Sequence, residues 1–198
     1  MRSRLARWWR ERHERGQAKS FFAGMVAAVA IATLGAVLFI QSGFFAVAAS
    51  KPHTRLVYWM THTTMVRSVR HQAGDDAPPA PFTRAQIVAG FCAYEVHCVT
   101  CHGALSVGRA PWVNGMTPDP PYLADAPREW TPAQLHWIIK NGVKMTAMPA
   151  WEKTLSDREI WNLVAFLETA PNRKPGTYVA MRAANLCAPV ASRQSPSG

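Results

Sequence analysis

The stretch Glu95–Leu105, EVHCVTCHGAL, places two cysteines three positions apart and a histidine directly after the second. Thiols at this spacing form a disulfide, half of a zinc site, or the attachment site of a c-type haem. A zinc site needs four ligands, and the sequence has no second Cys/His pair with such spacing. A disulfide between Cys98 and Cys101 leaves His102 without a role. The pattern C-x-x-C-H therefore favours haem, with each thiol joined to a vinyl group and the imidazole held under the iron.

An uncharged stretch, residues 21–50, predicts a membrane anchor. Its most apolar part, Phe21–Ile40, would form about 30 Å of helix, which matches the hydrocarbon thickness of a bilayer. Seven Lys/Arg precede it and only Lys51 and Arg55 follow closely, so the N-terminus is predicted in the cytoplasm and the remainder outside. The alternative is a cleaved signal peptide with a cleavage site at Ala46–Ala48, but apolar segments of signal peptides are shorter.

Export bears on the two remaining cysteines, Cys92 and Cys187. They can pair in an oxidising compartment, and the sequence does not show whether they do.

The formal net charge of +10 lies mostly outside the part of the chain that we expect to fold. Residues 1–51 carry eight Lys/Arg and two Asp/Glu, and residues 172–198 carry four Lys/Arg and no acid. Residues 82–171 carry seven Lys/Arg and eight Asp/Glu, a balance near zero. A nucleic-acid-binding protein places positive charge on its folded domain, so this distribution argues against nucleic acid as a partner.

Between the anchor and this neutral part, residues 53–71 predict a short amphipathic helix. Leu56, Trp59 and Met60 share one of its faces, which suits a membrane surface or a partner subunit. The stretch 73–81, with three prolines, predicts an extended linker.

Residues 82–171 predict three helices and no convincing strand, and therefore a small all-α domain with long loops. A capping-box pattern at Thr83–Gln86 begins a helix that runs into Cys98. Thr131-Pro132 begins the second helix, which ends at Asn141-Gly142. Ser156–Glu159 begins the third, which Pro171 ends.

A sixth iron ligand is predicted in the loop Gly142–Trp151, which contains two methionines. Met148 precedes Pro149, which favours an extended backbone able to present a thioether to a metal. Met145 lacks that bias. We therefore expect His102 and Met148 as the iron ligands, a pair that suits electron transfer; the alternative is that both methionines fill the core.

These motifs together resemble those of a class I cytochrome c. The resemblance covers residues 82–171 and rests on the spacing G-x-x-x-Y-x-x-x-C-x-x-C-H-G from Gly90 to Gly103, the Met148-Pro149 loop and the LVAFL segment at Leu163–Leu167. It is most similar to the small haem domains in subunits of cbb-type oxidases and periplasmic dehydrogenases. Dihaem subunits of cbb-type oxidases carry a second C-x-x-C-H, which this sequence lacks, so one covalent haem c is expected.

The resemblance also implies particular contacts. The first and last helices would cross with Gly90 and Tyr94 against Leu163 and Phe166. The carbonyl of Pro121 would accept the proton of the second ring nitrogen of His102, which fixes the tautomer of a ligand histidine. Trp130 would reach a haem propionate. The alternative for Pro121 and Trp130 is ordinary packing of loops.

We therefore predict a membrane-tethered monohaem c-type cytochrome, an electron carrier rather than an enzyme. Its expected location is the bacterial inner membrane, with a single pass and the haem domain in the periplasm. Its expected partners are membrane lipid and redox proteins, with no small-molecule substrate. The alternatives are a permanent haem subunit of a membrane oxidoreductase complex, and a haem sensor or enzyme with an open iron. The predicted segments are a basic cytoplasmic segment (1–20), the anchor (21–49), an amphipathic segment with linker (50–81), the haem domain (82–171) and a basic tail (172–198).

Overall fold

The computed structural model describes residues 2–74, 78 and 81–187, and for residues 2–16 it describes the backbone alone. The chain divides into two compact units between Ala48 and Ala49. The first unit contains one helix, α1 (Arg2–Gln41). Within it, Gln17–Gln41 is long and apolar enough to cross a membrane, a property that a membrane anchor and an N-terminal signal sequence share.

The second unit is built from helices joined by long loops, as the sequence predicts. Within the described residues its only strand-like pairing is an isolated bridge between Ala104 and Val107. Short 3-10 turns lie at Pro111–Gly115, Trp151–Lys153 and Ala170–Asn172. The helices are α2 (Arg55–Gln72), α3 (Arg84–His97), α4 (Val99–His102), α5 (Ala126–Glu129), α6 (Pro132–Asn141), α7 (Asp157–Glu168) and α8 (Thr177–Ala183).

The three predicted helix starts in the haem domain are confirmed. Thr83, Thr131 and Ser156 each cap a helix, and in each case the third helical residue returns a hydrogen bond to the cap. These reciprocal bonds satisfy amide groups that have no partner within the helix. Gly142, at φ 65°, ends α6 as predicted.

The core forms where α3 crosses α7. Gly90 lies at the crossing, because a Cβ at this position would come within 1.8 Å of the Asn162 carbonyl oxygen. Phe91 and Tyr94 of α3 pack against Phe166 of α7, with ring centroids 5.7 and 5.2 Å apart. The crossing therefore brings the two helices together at backbone distance and positions the C-terminal end of α3.

The compact unit is larger than the predicted 82–171 domain. On the N-terminal side, α2 packs against α6 and buries Val69, which is 1% exposed. The helix predicted at 53–71 is therefore present, and its second half belongs to the folded unit. The predicted linker 73–81 lies largely outside the described residues, although Ala73 at its start is buried.

On the C-terminal side, residues 172–187 also pack on the domain, although the sequence analysis assigned 172–198 only to a basic tail. Tyr178 of α8 is 2% exposed and contacts the rings of Phe91 and Phe166. A disulfide joins Cys92 of α3 to Cys187. The sequence had left open whether these two cysteines pair. The physical reason is the apolar surface of Tyr178, whose burial favours packing although the segment also carries Arg173, Lys174 and Arg182. The rest of the tail, 188–198, lies outside the described residues.

Candidate haem-binding site

The two cysteines of the C-x-x-C-H motif lie where the chain passes from α3 into α4. Cys98 joins the two helices, and Cys101 and His102 lie in the single turn of α4. Both thiols are free and half-buried. Burial, with Cys101 nearby, raises the pKa of Cys98 to about 12, so this thiol is protonated at neutral pH. Two free thiols three residues apart would each hold a haem through a thioether, formed by adding S–H across a vinyl C=C bond.

The imidazole of His102 is held in one orientation. Its Nδ1 lies 2.8 Å from the carbonyl oxygen of Pro121. A carbonyl oxygen only accepts, so Nδ1 carries a proton, and in the neutral ring Nε2 then keeps its lone pair. Burial lowers the pKa of His102, the bond to Pro121 opposes this effect, and Arg109 adds to it. The net result is a neutral imidazole with Nε2 available, which is the form that binds a metal.

The loop that carries Pro121 is itself held in place. Arg109 donates a hydrogen bond to the carbonyl of Pro120, and its guanidinium lies 4.2 Å from the centre of the Tyr122 ring. These contacts fix the carbonyl of Pro121 on both sides. Arg109 was missed by sequence reasoning, because a lone arginine in a loop carries no periodic or motif signal.

Tyr94 fixes the backbone just after His102. Its buried hydroxyl donates to the carbonyl of Gly103 at 2.6 Å. Gly103 has φ 63°, and a Cβ there would lie 2.8 Å from the Tyr122 ring. The sequence placed Tyr94 at the helix crossing but gave no signal for this hydrogen bond, which joins α3 to the segment that orients the imidazole.

The loop between α6 and α7 contains both candidate methionines, and they differ in their exposure to solvent. Met148 is partly buried and packs against the core, whereas Met145 is 91% exposed. The Met148 amide donates to Thr146 Oγ1 at 3.1 Å, and its carbonyl accepts from the Val143 amide at 3.2 Å. Gly142 lets this loop fold back, since a Cβ there would lie 2.5 Å from the Pro149 carbonyl. The loop therefore turns Met148 inward and Met145 outward.

Trp130 ends α5 and directly precedes Thr131, the cap of α6. It is partly buried and packs against the core. Its predicted contact with a haem propionate, like the ligand role of Met148, stays a prediction.

The residues present fit a covalently bound haem. They supply two free thiols, a neutral imidazole with an unprotonated Nε2, and an inward-facing thioether. Haem iron, when bound, exchanges one electron between its ferrous and ferric states. An all-α domain with this arrangement at the end of α3 is a c-type cytochrome domain.

Comparison with known families gives the class more narrowly. Residues 85–167 match the family described as cytochrome C oxidase, cbb3-type, subunit III. The matched segment runs from α3 to α7 and includes the C-x-x-C-H motif and the methionine loop. This part of the chain is a class I c-type cytochrome haem domain, similar to those of cbb3 oxidase subunits. A comparison with curated proteins found no match. The domain therefore belongs to an electron-transfer haem protein that binds haem c covalently.

Proposed function

We propose that the chain is a membrane-tethered electron carrier with a single haem c. Cys98 and Cys101 hold the haem, and His102 and Met148 ligate its iron. Electrons pass between redox proteins at the periplasmic face of a bacterial inner membrane. The observation that carries the proposal is the orientation of His102, whose Nδ1–H is engaged by Pro121 while Nε2 is left to coordinate a metal.

Covalent attachment and haem number are tested together. The chain, produced with an active haem-maturation system, should keep its haem after denaturation, and its mass should exceed that of the polypeptide by one haem. Replacing both Cys98 and Cys101 by Ala should abolish haem retention. A denatured wild-type chain without porphyrin, or one with two haems, would refute this part of the proposal.

The two methionines provide a matched pair for testing the sixth ligand. Met148→Ala should open the iron, so that the reduced protein binds carbon monoxide readily and its reduction potential falls. Met145→Ala, at an exposed position of the same loop, should leave both properties as in the wild type. If the reduced wild type binds carbon monoxide as readily as Met148→Ala, then Met148 is not a ligand and a sensor or enzyme with open iron gains support.

We assign Trp130 to a haem propionate, because it lies at the start of α6 and faces the core. Trp130→Phe keeps an aromatic ring but removes the indole N–H donor. It should shift the reduction potential without releasing the haem. An unchanged reduction potential would show that Trp130 only packs against its neighbours.

The tether and its orientation rest on the apolar helix and on the basic residues that precede it. An N-terminal tag should remain on the haem-containing chain and should stay with membranes after alkaline extraction. Protease added to spheroplasts should digest the haem domain and leave that tag protected. A soluble haem protein without the tag would show instead that the helix is a cleaved signal sequence.

The second candidate function is that of a permanent haem subunit in a membrane oxidoreductase complex. The match to a family described as an oxidase subunit favours it. A gentle detergent extract separated on a native gel distinguishes the two, since a free carrier migrates alone and a subunit migrates with its complex.

A further inference from the structure

Helix α2 has two halves with different surroundings. In its second half, Val69 and the following cap residue Ala73 are buried, and Met65 and Val66 are half-buried. This half packs on α6 within the haem domain. The second half of α2 is therefore packed into the folded unit through α6.

The first half of α2 projects its apolar side chains into solvent. Leu56, Tyr58, Trp59 and Met60 are each more than half exposed. Successive residues of a helix are separated by about 100°, so Leu56, Trp59 and Met60 share one face while Tyr58 points away from it, and the four side chains together span about 200° of the circumference. Rotation of the helix cannot bury all of them against the domain. We call residues 55–61 the apolar end of α2.

The charged residues in the chain segment that contains this end are all basic. Residues 42–72 contain no aspartate or glutamate, and they carry Lys51, Arg55, Arg67 and Arg70. Tryptophan and tyrosine beside basic residues are typical of segments that lie in the headgroup region of a bilayer. Basic side chains near an anionic lipid surface are attracted to it. The charge and composition thus complement anionic lipid.

Helix α2 follows closely after the apolar helix α1 in the chain, which is consistent with a location near a membrane surface. Only residues 42–54 separate α1 from α2. Within that segment the Ala49 carbonyl already accepts a hydrogen bond of 2.5 Å from the hydroxyl of Thr117 in the haem domain. The apolar end of α2 therefore lies between two points of attachment to the domain, Thr117 at one side and α6 at the other.

We propose that the apolar end of α2 inserts into the headgroup region of an anionic bilayer and holds the haem domain in one orientation on that surface. The inference rests on the proposed membrane tether and extends it. A flexible tether only keeps the domain near the membrane, whereas a second, rigidly attached contact also fixes the direction in which the haem faces.

Cross-linking from a single position tests the contact. The full chain, with p-benzoylphenylalanine in place of Trp59, is reconstituted in vesicles of equal parts phosphatidylcholine and phosphatidylglycerol. Illumination should yield lipid adducts, and fewer of them in pure phosphatidylcholine. The control is the same group in place of Gln72, an exposed residue at the far end of α2, which should give none. In native membranes, adducts to a protein in place of lipid would assign this surface to a partner and overturn the proposal.

The orientation is tested by polarised absorption of the haem in oriented membrane layers. The wild type and a Gln72→Glu control should show clear linear dichroism, and a Trp59→Glu/Met60→Glu variant should lose it while keeping its haem. An unchanged dichroism in that variant would refute the proposal. Retention of the N-terminal tag after alkaline extraction is measured on the same samples. A retained tag without lipid adducts refutes only the role of α2, whereas loss of the tag refutes the tether.

Discussion

Among substitutions that add one methyl group to this domain, Gly90→Ala is expected to lower its stability most. The new Cβ would lie 1.8 Å from the carbonyl oxygen of Asn162, 2.5 Å from its carbonyl carbon and 2.9 Å from the Cβ of Phe166. Two of these atoms are backbone of α7, so no side-chain rotation relieves the contact. The two helices have to separate.

The cost follows from these distances. Non-bonded carbon atoms settle at about 3.5–4.0 Å, so α3 and α7 must move apart by roughly 1.5 Å at the crossing. On α7 this crossing is surrounded by buried side chains, among them Leu163, Val164 and Phe166, which would lose contact across the gap. Overpacking costs about 1–3 kcal/mol where side chains can adjust. Because backbone is involved here, we expect about 3 kcal/mol, or a Tm lower by about 6–12 °C.

The assay is thermal unfolding of the haem-loaded full chain, followed by far-ultraviolet circular dichroism. Gly108→Ala is the matched control, because a Cβ on Gly108 has no neighbour within 4 Å and its φ is not positive. It should be neutral or stabilising by about 0.4–1 kcal/mol. If Gly90→Ala and Gly108→Ala melt at the same temperature with equal haem content, the backbone-to-backbone crossing at Gly90 is refuted.

Three further outcomes are expected. Cys187→Ala should lower the free energy of unfolding by up to about 4–5 kcal/mol, since the disulfide with Cys92 closes a loop with a sequence separation of 95 residues; equal stability of variant and oxidised wild type would contradict this. Tyr178→Phe removes the hydroxyl that donates to Glu95 and should cost about 2 kcal/mol in urea unfolding, whereas a cost near zero would show that the bond contributes nothing. Hydrogen bonds from Ser156, the cap of α7, lower the pKa of the Glu159 carboxyl group. The carboxylate therefore stabilises the fold at every pH above the ordinary glutamate pKa of about 4.3. This contribution is lost as the pH falls through the lowered pKa of the folded state. Glu159→Gln should therefore be less stable than the wild type at neutral pH, and the difference should disappear in acid; a difference that persists there would have another cause.

Local chemistry made the helix starts predictable. Thr83, Thr131 and Ser156 each precede, by three residues, a side chain that can return the hydrogen bond, and this signal is complete within four residues. The spacing of Cys98 and Cys101 is equally local. Such features do not depend on the rest of the fold, so a single sequence is enough to find them.

Features that depend on distant parts of the chain were predicted less well. The burial of Tyr178 depends on a surface formed by α3 and α7, and the adjacent Val179 and Ala180 are exposed, so the local sequence gives no sign of a buried position. Pairing of Cys92 with Cys187 requires the same long-range approach. The stretch 73–81 was predicted to be a linker before the domain, and it gave no sign that α2, which precedes it, packs on α6. In each case the deciding contact lies far away in sequence, where neither periodicity nor capping carries information.

Helix α2 and residues 172–187, which pack on the 82–171 domain, also change how the charge of the chain should be interpreted. The C-terminal segment reads as a basic tail, yet Arg182 pairs with Glu95 at 2.8 Å and the guanidinium of Arg173 lies 3.9 Å from the centre of the Phe166 ring. Both side chains therefore act as internal contacts that hold α8 and its flank on the domain. Positive charge in α2 differs, because within the described residues no salt bridge joins Arg55, Arg67 or Arg70 to an acid. Under the proposed function, the part of the folded unit best able to attract anionic lipid is the one that follows the apolar helix. The near-neutral segment 82–171 would then depend on the proposed lipid contact, rather than on long-range steering, to meet a redox partner.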